Sequence, residues 1–322
     1  MSPPRVGLIG ARRVRQGLGP FVARDLVAAG AQVPCFLVTR ESSLEPARSE
    51  IERHTGASTK GYVDADAMLD AEDLDAVAIL SPAETHEAHL ARAAERGLAA
   101  LCEKPLLWGG PDLAARAAAR VRAFAQRELL LYENCQWPFA LPGFERLHPG
   151  SLDAPPRRFA MELQPASRGL QALGDSLSHP LSLLQALLPG EAPEVGAIRF
   201  EPDPPDAPTG SLSVRFDYHS GVHGCAVEVR LRAGEELPRR AALEIDGRRA
   251  ERVVEPESYR LFFRASERSV PLDDPLTQLI TDFCRCLGAP EAGERRARAR
   301  QIEQRMRLLA RLAHAHAEQE FS

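Results

Sequence analysis

DAVAILSPAETHEAHLARAAERGLAALCEKPL, residues 75–106, holds one complete strand-helix-strand unit. Asp75–Leu80 is a short apolar run that predicts a buried strand, and Glu84–Arg96 repeats its apolar side chains at helical spacing before stopping at Gly97. Ala99–Cys102 is a second apolar run. Working outward, the same alternation continues on both sides. Arg5–Ile9 predicts a strand, Phe21–Ala29 a helix, Gln32–Val38 a strand and Leu44–His54 a helix, while Pro111–Arg127 and Leu129–Tyr132 predict a further helix and strand downstream. Regular alternation of this kind demands a parallel, doubly wound sheet, here assigned to a domain over residues 1–134.

Residues 135–322 read differently. A helix is expected near Ala172–Leu188, then alternating segments at Ser211–Tyr218, Gly224–Arg232, Ala241–Ile245 and Tyr259–Phe263. Ser220-Gly221 and Asp246-Gly247 separate pairs of them, which predicts antiparallel hairpins. Helices are expected at Leu276–Leu287 and Gly293–Glu318, and Glu201–Pro208 is expected as a rigid surface loop. The fold class is therefore α/β followed by α+β, in two domains, as 322 residues also suggest.

Composition narrows the function classes. A net charge of -5 argues against a nucleic-acid partner, and no apolar run approaches the ~20 residues that span a bilayer, so neither nucleic acid nor membrane is expected. A cytoplasmic protein is expected. The six cysteines show no C-x-x-C spacing and His219 and His223 lack acidic or thiol neighbours, so no metal site is expected. All but two of the 40 cationic residues are arginine, the exceptions being Lys60 and Lys104. A lysine in such a chain marks a place that needs a compact amine whose pKa can move.

The first strand runs into Gly10-Ala11-Arg12-Arg13-Val14-Arg15-Gln16-Gly17-Leu18-Gly19-Pro20. A strand, a glycine turn and a helix N-terminus make a site for a pyrophosphate. With Gly19 as the last glycine the turn is four residues longer than the regular G-x-G-x-x-G, and Arg12, Arg13 and Arg15 offer guanidinium groups to phosphate oxygens. An ordinary β-α turn with solvated arginines is the competing reading. Thr39 and Arg40 stand after the second strand, where an acid would bind the ribose of NAD, so NADP is favoured and NAD stays possible.

Residues 75–106, with Ser81-Pro82, His86 and an intact Glu103-Lys104-Pro105, resemble the Gfo/Idh/MocA family of oxidoreductases. The resemblance implies a Rossmann dinucleotide-binding domain followed by a domain with an open, mainly antiparallel sheet. It implies that Ser81, Pro82, His86, Glu103 and Lys104 join Gly10, Gly17 and Gly19 around the cofactor. Asp175 and His179 resemble the family's D-x-x-x-H, four apart on one helical face. A cis Lys104–Pro105 bond and a homodimer or homotetramer also follow from the resemblance, although X–Pro bonds default to trans. The chain departs from the family pattern in its glycine turn, in Ala83 after Ser81-Pro82, and in Pro180-Leu181-Ser182 after His179.

What the resemblance implies chemically is hydride transfer between a nicotinamide and a carbon bearing a hydroxyl. His179 is then the candidate proton carrier, Asp175 a positioning or relay group, and Lys104 a hydrogen-bond donor to the reacting oxygen. Asn134, Gln136 and Trp137 offer amides and an aromatic face to a ring-shaped polyol or sugar, with a packing tryptophan as the alternative, and Arg168 is a candidate for an acidic substituent. The expected activity is an NAD(P)-dependent dehydrogenase or reductase of a small sugar, cyclic polyol or similar molecule. Its alternatives are a non-catalytic dinucleotide-binding or scaffold protein, imine reduction, and transient redox for elimination.

Overall fold

The computed structural model describes residues 2–11, 17–202, 209–255, 257–289 and 291–320. Arg12, Arg13 and Arg15 lie outside these residues, as does most of the expected 201–208 loop. The chain divides into two compact units, residues 1–134 with 276–303 and residues 135–275 with 304–322.

In the first unit β1 (Val6–Ile9), β2 (Cys35–Leu37), β3 (Lys60–Tyr62), β4 (Ala76–Ile79), β5 (Ala99–Cys102) and β6 (Leu131–Glu133) form one parallel sheet in the order β3-β2-β1-β4-β5-β6. β1, β4 and β5 are buried at every residue, which explains their continuous apolar runs. The order reverses between β1 and β4, where Leu8 pairs with Ala78 and Ile9 with Ile79. A crevice at the carboxyl ends of these two strands is the usual ligand position in such a sheet. The helices are α1 (Gly19–Ala28), α2 (Leu44–Thr55), α3 (Ala65–Ala71), α4 (Ala83–Glu95) and α5 (Leu113–Gln126). α1 packs on α2 and α4 on α5. β3 and α3 were not among the expected elements. Lys60 is exposed and Gly61 and Tyr62 only half-buried, so this edge strand carries no apolar run.

The expected boundary after residue 134 coincides with the change of unit, but the C-terminal helices need a correction. α8 (Pro275–Gly288) and the first part of α9 (Ala292–Glu320) go with the first unit from Leu276 to Glu303. Thr277 Oγ1 donates to Asp25 Oδ2 at 3.0 Å and Tyr132 OH to Asp282 Oδ2 at 2.7 Å. An amphipathic helix pattern says that a face is buried without saying against which sheet.

The second unit holds α6 (Leu141–Leu147), α7 (Gly169–Leu187) and eight strands: β7 (Arg158–Leu163), β8 (Glu194–Pro202), β9 (Leu212–Ser220), β10 (His223–Leu231), β11 (Ala241–Ile245), β12 (Arg248–Val254), β13 (Leu261–Ala265) and β14 (Arg268–Leu272). They form one open sheet in the order β14-β13-β12-β11-β7-β10-β9-β8, antiparallel except where β7 meets β10. β9 shows the two-residue period clearly. Val214, Phe216 and Tyr218 are buried while Arg215 and His219 are exposed. The hairpin at Ser220-Gly221 forms as expected; Asp246-Gly247, with φ of +47° and +82°, also turns a hairpin, but it pairs Ala241–Ile245 with the unexpected β12 and not with the segment at Tyr259–Phe263. Asp246 Oδ1 then accepts from the backbone N–H of Arg157 at 3.0 Å and of Arg158 at 2.8 Å, fixing the start of β7. β7, β8, β12 and β14 were not expected. No helix among the described residues is long and apolar enough to cross a membrane.

Candidate functional site

In the first unit the ends of β1, β4 and β5 are stitched together by backbone. Gly10 has φ +90°, and a Cβ there would lie 2.6 Å from Ser81 N and 2.7 Å from the Leu80 carbonyl carbon. Only glycine lets β1 end this close to β4. Gly19 opens α1 against the turn itself, since a Cβ would meet the Ala11 carbonyl, 2.7 Å from its carbon. Pro20 follows in the first turn, and Leu18 caps the helix without a side-chain hydrogen bond. This cradle leaves backbone N–H groups of α1 at a position where glycine alone fits, which suits a phosphate. Gly17 is half-buried, and Thr39 and Arg40 are exposed beyond β2.

His86 has a different task from the one expected. It is 1% exposed on α4, with Nε2 2.8 Å from the Ser81 carbonyl and Nδ1 3.1 and 3.2 Å from those of Pro105 and Leu106. The ring therefore sits between the carbonyls of the Lys104-Pro105 segment and that at the end of β4, its N–H donating to one side according to tautomer. The Lys104–Pro105 bond is cis. Glu133, which sequence reasoning passed over, is buried at the end of β6 and its Oε1 accepts from Leu106 N–H at 2.9 Å. Its signal was an acid closing the otherwise apolar run Leu129–Tyr132. Asn134, expected to face substrate, is 2% exposed, donates its Nδ2 to Glu103 Oε1, and encloses its Oδ1 without a partner. Burial raises the Glu103 carboxyl above its ordinary value, against the opposing charge of Lys104 and the hydrogen bond from Asn134. Lys104 is half-buried, and Ser81 Oγ lies 2.6 Å from Thr85 Oγ1 beside Pro82.

In the second unit α7 carries Asp175 and His179. From Ala172 to Gln185 every residue of this helix is buried except those two. Asp175 is held at both oxygens, by Ser167 Oγ at Oδ2 and by Gln171 Nε2 at Oδ1, 3.2 Å away. Ser167 was not foreseen, since nothing in Ser-Arg-Gly marks it. Trp137 is 4% exposed, and its ring lies 6.3 Å from that of His179 in an edge-on contact. The Arg252 guanidinium lies over the same indole, Cζ 5.4 Å from the ring centroid. Gln136 is half-buried, and Arg168 is an exposed residue at the start of α7 that packs across Gly210.

One cluster with metal-ligand chemistry has another explanation. Asp282, Cys286 and Glu294 bring ligand-type atoms within 4.8 Å of one another. Arg285 reaches Asp282 at 2.8 Å and Arg298 reaches Glu294 at 2.8 Å, and each arginine also contacts the other acid. Two cations already balance two carboxylates there. Hydrogen bonds from Arg285 and Arg298 hold Glu294 down at about 2, and burial pushes the Cys286 thiol up to about 11.

The model of an oxidoreductase family with an NAD-binding Rossmann fold, Gfo/Idh/MocA, matches residues 5–132. That match covers the Rossmann part of the first unit, 128 of the 322 residues. Among its relatives, D-apiose dehydrogenase of Paraburkholderia graminis is 39% identical over 95 residues, 29% of this chain and 25% of that protein. Inositol 2-dehydrogenase of Streptomyces avermitilis is 29% identical over 220 residues, 64% of this chain and 60% of that protein. These matches span less than two thirds of either curated relative. The fold continues beyond them. An inositol dehydrogenase homolog from Azotobacter vinelandii, solved with NADH and myo-inositol, superposes with a TM-score of 0.64 at 16% identity, covering 98% of this chain and 96% of that one. The shared fold, a parallel Rossmann-like sheet followed by a mostly antiparallel eight-stranded one, thus accounts for both units.

Proposed function

We propose that this protein is an NAD(P)-dependent oxidoreductase of the Gfo/Idh/MocA family that interconverts a secondary alcohol and a ketone on a sugar, cyclic polyol or similar small molecule. The observation that carries the reading is α7, where a fourteen-residue buried stretch opens only at Asp175 and His179, the two positions of D-x-x-x-H. A helix built for packing alone has no reason to keep an acid and an imidazole at its two open positions. The intact Glu103-Lys104-Pro105, clamped by His86 and Glu133, supports it from the first unit.

Gly10, Gly19 and the start of α1 would hold the dinucleotide, and we assign Arg12, Arg13 and Arg15 to its phosphates. Thr39 and Arg40 favour NADP. When bound, the nicotinamide supplies or accepts the hydride. His179 takes the hydroxyl proton during oxidation and returns it during reduction. On the first unit, Lys104 is assigned as the hydrogen-bond donor that stabilises negative charge as it develops. Asp175, fixed by Ser167 and Gln171, orients the reacting hydroxyl as an acceptor. Gln136 and Trp137 are assigned to the substrate, and Arg168 is the weaker member of that set because it is exposed. Six free, buried cysteines fit the reducing cytoplasm, to which we assign the enzyme. A homodimer or homotetramer completes the reading, and a monomer-sized particle in light scattering would remove that part.

The test is a fluorescence titration with NADPH and with NADH, followed by turnover on a sugar and polyol panel. Arg40→Ala should weaken NADPH and spare NADH. His179→Ala should leave nucleotide affinity unchanged and lower kcat by about 10²–10⁴-fold. If neither nucleotide binds at millimolar concentration, the oxidoreductase reading fails.

A further inference from the structure

A cavity of about 30 Å³ in the second unit is lined by Gln136, Trp137 and Arg252 together with Leu261, Phe263 and Leu272. Its polar wall is unusual. Arg252 projects from β12, stacks on Trp137, and donates one terminal nitrogen to the Arg239 carbonyl at 3.0 Å. Its Nε is enclosed without an acceptor among the described residues. Asp274 is the acid whose charge reaches it, and burial nevertheless pushes the guanidinium below its ordinary value. A cation held in this way is costly unless an anion completes the site.

We propose that Arg252, with Gln136 and Trp137, is a receptor for a carboxylate, and that the substrate is therefore a hydroxy acid of the aldonate or uronate type. The substrate clause rests on the dehydrogenase reading above; the receptor clause does not. Three features select the ligand. A guanidinium offers a planar fork that matches two carboxylate oxygens. A water needs roughly 10–15 Å³ of such space, so the cavity admits a group of about two oxygens, the size of a carboxylate. Trp137 also carries His179 on its ring, so one indole touches both the anion receptor and the proposed proton carrier.

The test compares wild type, Arg252→Met and Arg252→Lys by calorimetry and thermal melting at constant ionic strength. The probes are acetate, D-gluconate and D-glucuronate, with D-glucitol and D-glucose as neutral counterparts. Wild type should prefer the carboxylates by about tenfold or more, about 1.4 kcal/mol per tenfold. Arg252→Met should lose the preference and, without ligand, melt at or above wild type, because a buried cation has been removed. Arg252→Lys should retain part of the preference. The receptor is overturned if carboxylates and neutral probes bind wild type alike, if Arg252→Met keeps the preference, or if it melts well below wild type and Arg252→Lys restores it without any carboxylate effect. NADPH titration of the same samples separates the two readings. Nucleotide binding without a carboxylate preference removes the receptor alone, and a carboxylate preference without nucleotide binding removes the dehydrogenase alone.

Discussion

Replacing Gly10 by alanine tests how closely β1 must approach β4 to make the nucleotide cradle. Two costs add. A side chain at φ +90° is strained by about 1–2 kcal/mol, and its Cβ would sit 2.6–2.8 Å from backbone atoms of Leu80 and Ser81, which cannot rotate away as a side chain would. Overpacking of that kind costs about 1–3 kcal/mol more. Gly97 supplies the control. It has φ +73° with nothing within 4 Å of its Cβ position, and it precedes β5 at the amino end of the strands, opposite the end where Gly10 lies. Gly97→Ala therefore carries the strain without the collision. At about 2–4 °C per kcal/mol for a unit of this size, Gly10→Ala should melt about 2–12 °C below Gly97→Ala. It should also weaken NADPH by more than tenfold while Gly97→Ala binds it normally. Scanning calorimetry and nucleotide fluorescence on both variants decide the matter. Equal melting temperatures and equal affinities would show that the close approach of β1 to β4 neither stores packing nor shapes the site.

Three further outcomes follow from named contacts. Glu294 is held at about 2 by Arg285 and Arg298, so its contribution should be complete above its ordinary range near 4.5 and vanish as pH falls toward 2. After discounting for its partial exposure, Glu294→Gln should cost about 1–2 kcal/mol at pH 7 and progressively less in acid, read from denaturant melts across pH. Tyr132→Phe keeps the ring beneath Arg298 but loses the 2.7 Å hydrogen bond to Asp282, a charged acceptor worth about 1.5–3 kcal/mol, and urea melts should show it. Lys104→Arg preserves charge yet replaces a compact amine with a planar fork, so kcat should fall by at least about tenfold with little change in stability. Unchanged turnover in that variant would take Lys104 out of the chemistry.

The Rossmann half was legible because β1, β4 and β5 are buried on both faces and write themselves as apolar runs. β3 was not, since Lys60–Tyr62 lies at an edge with little buried surface. In the second unit β9 and β10 alternate cleanly over nine residues each, whereas β7 is only six residues long and β12 sets a single alanine among Arg and Glu before its closing valines. The candidate set was readable as motif, but the contacts around it were not. Glu133, Ser167 and Arg252 act through partners 27, 8 and 13 residues away that no local pattern announces. Membership of α8 in the first unit depends on contacts such as Thr277 to Asp25, 252 residues apart. His86 shows the converse case, a residue correctly singled out whose surroundings turn it from a ligand contact into a tie.

β7 sits at the centre of the second sheet yet comes first in its sequence. The strands on its two sides, β8-β9-β10 and β11-β12-β13-β14, are each runs of consecutive neighbours. Such local ladders form early, whereas β7 must wait for β10 and β11, more than sixty residues later, before it has anything to pair with. The sheet is thus two separately assembled ladders closed by a keystone strand. α7 begins six residues after that strand ends, so the helix bearing Asp175 and His179 is tied in sequence to the strand that joins the two ladders.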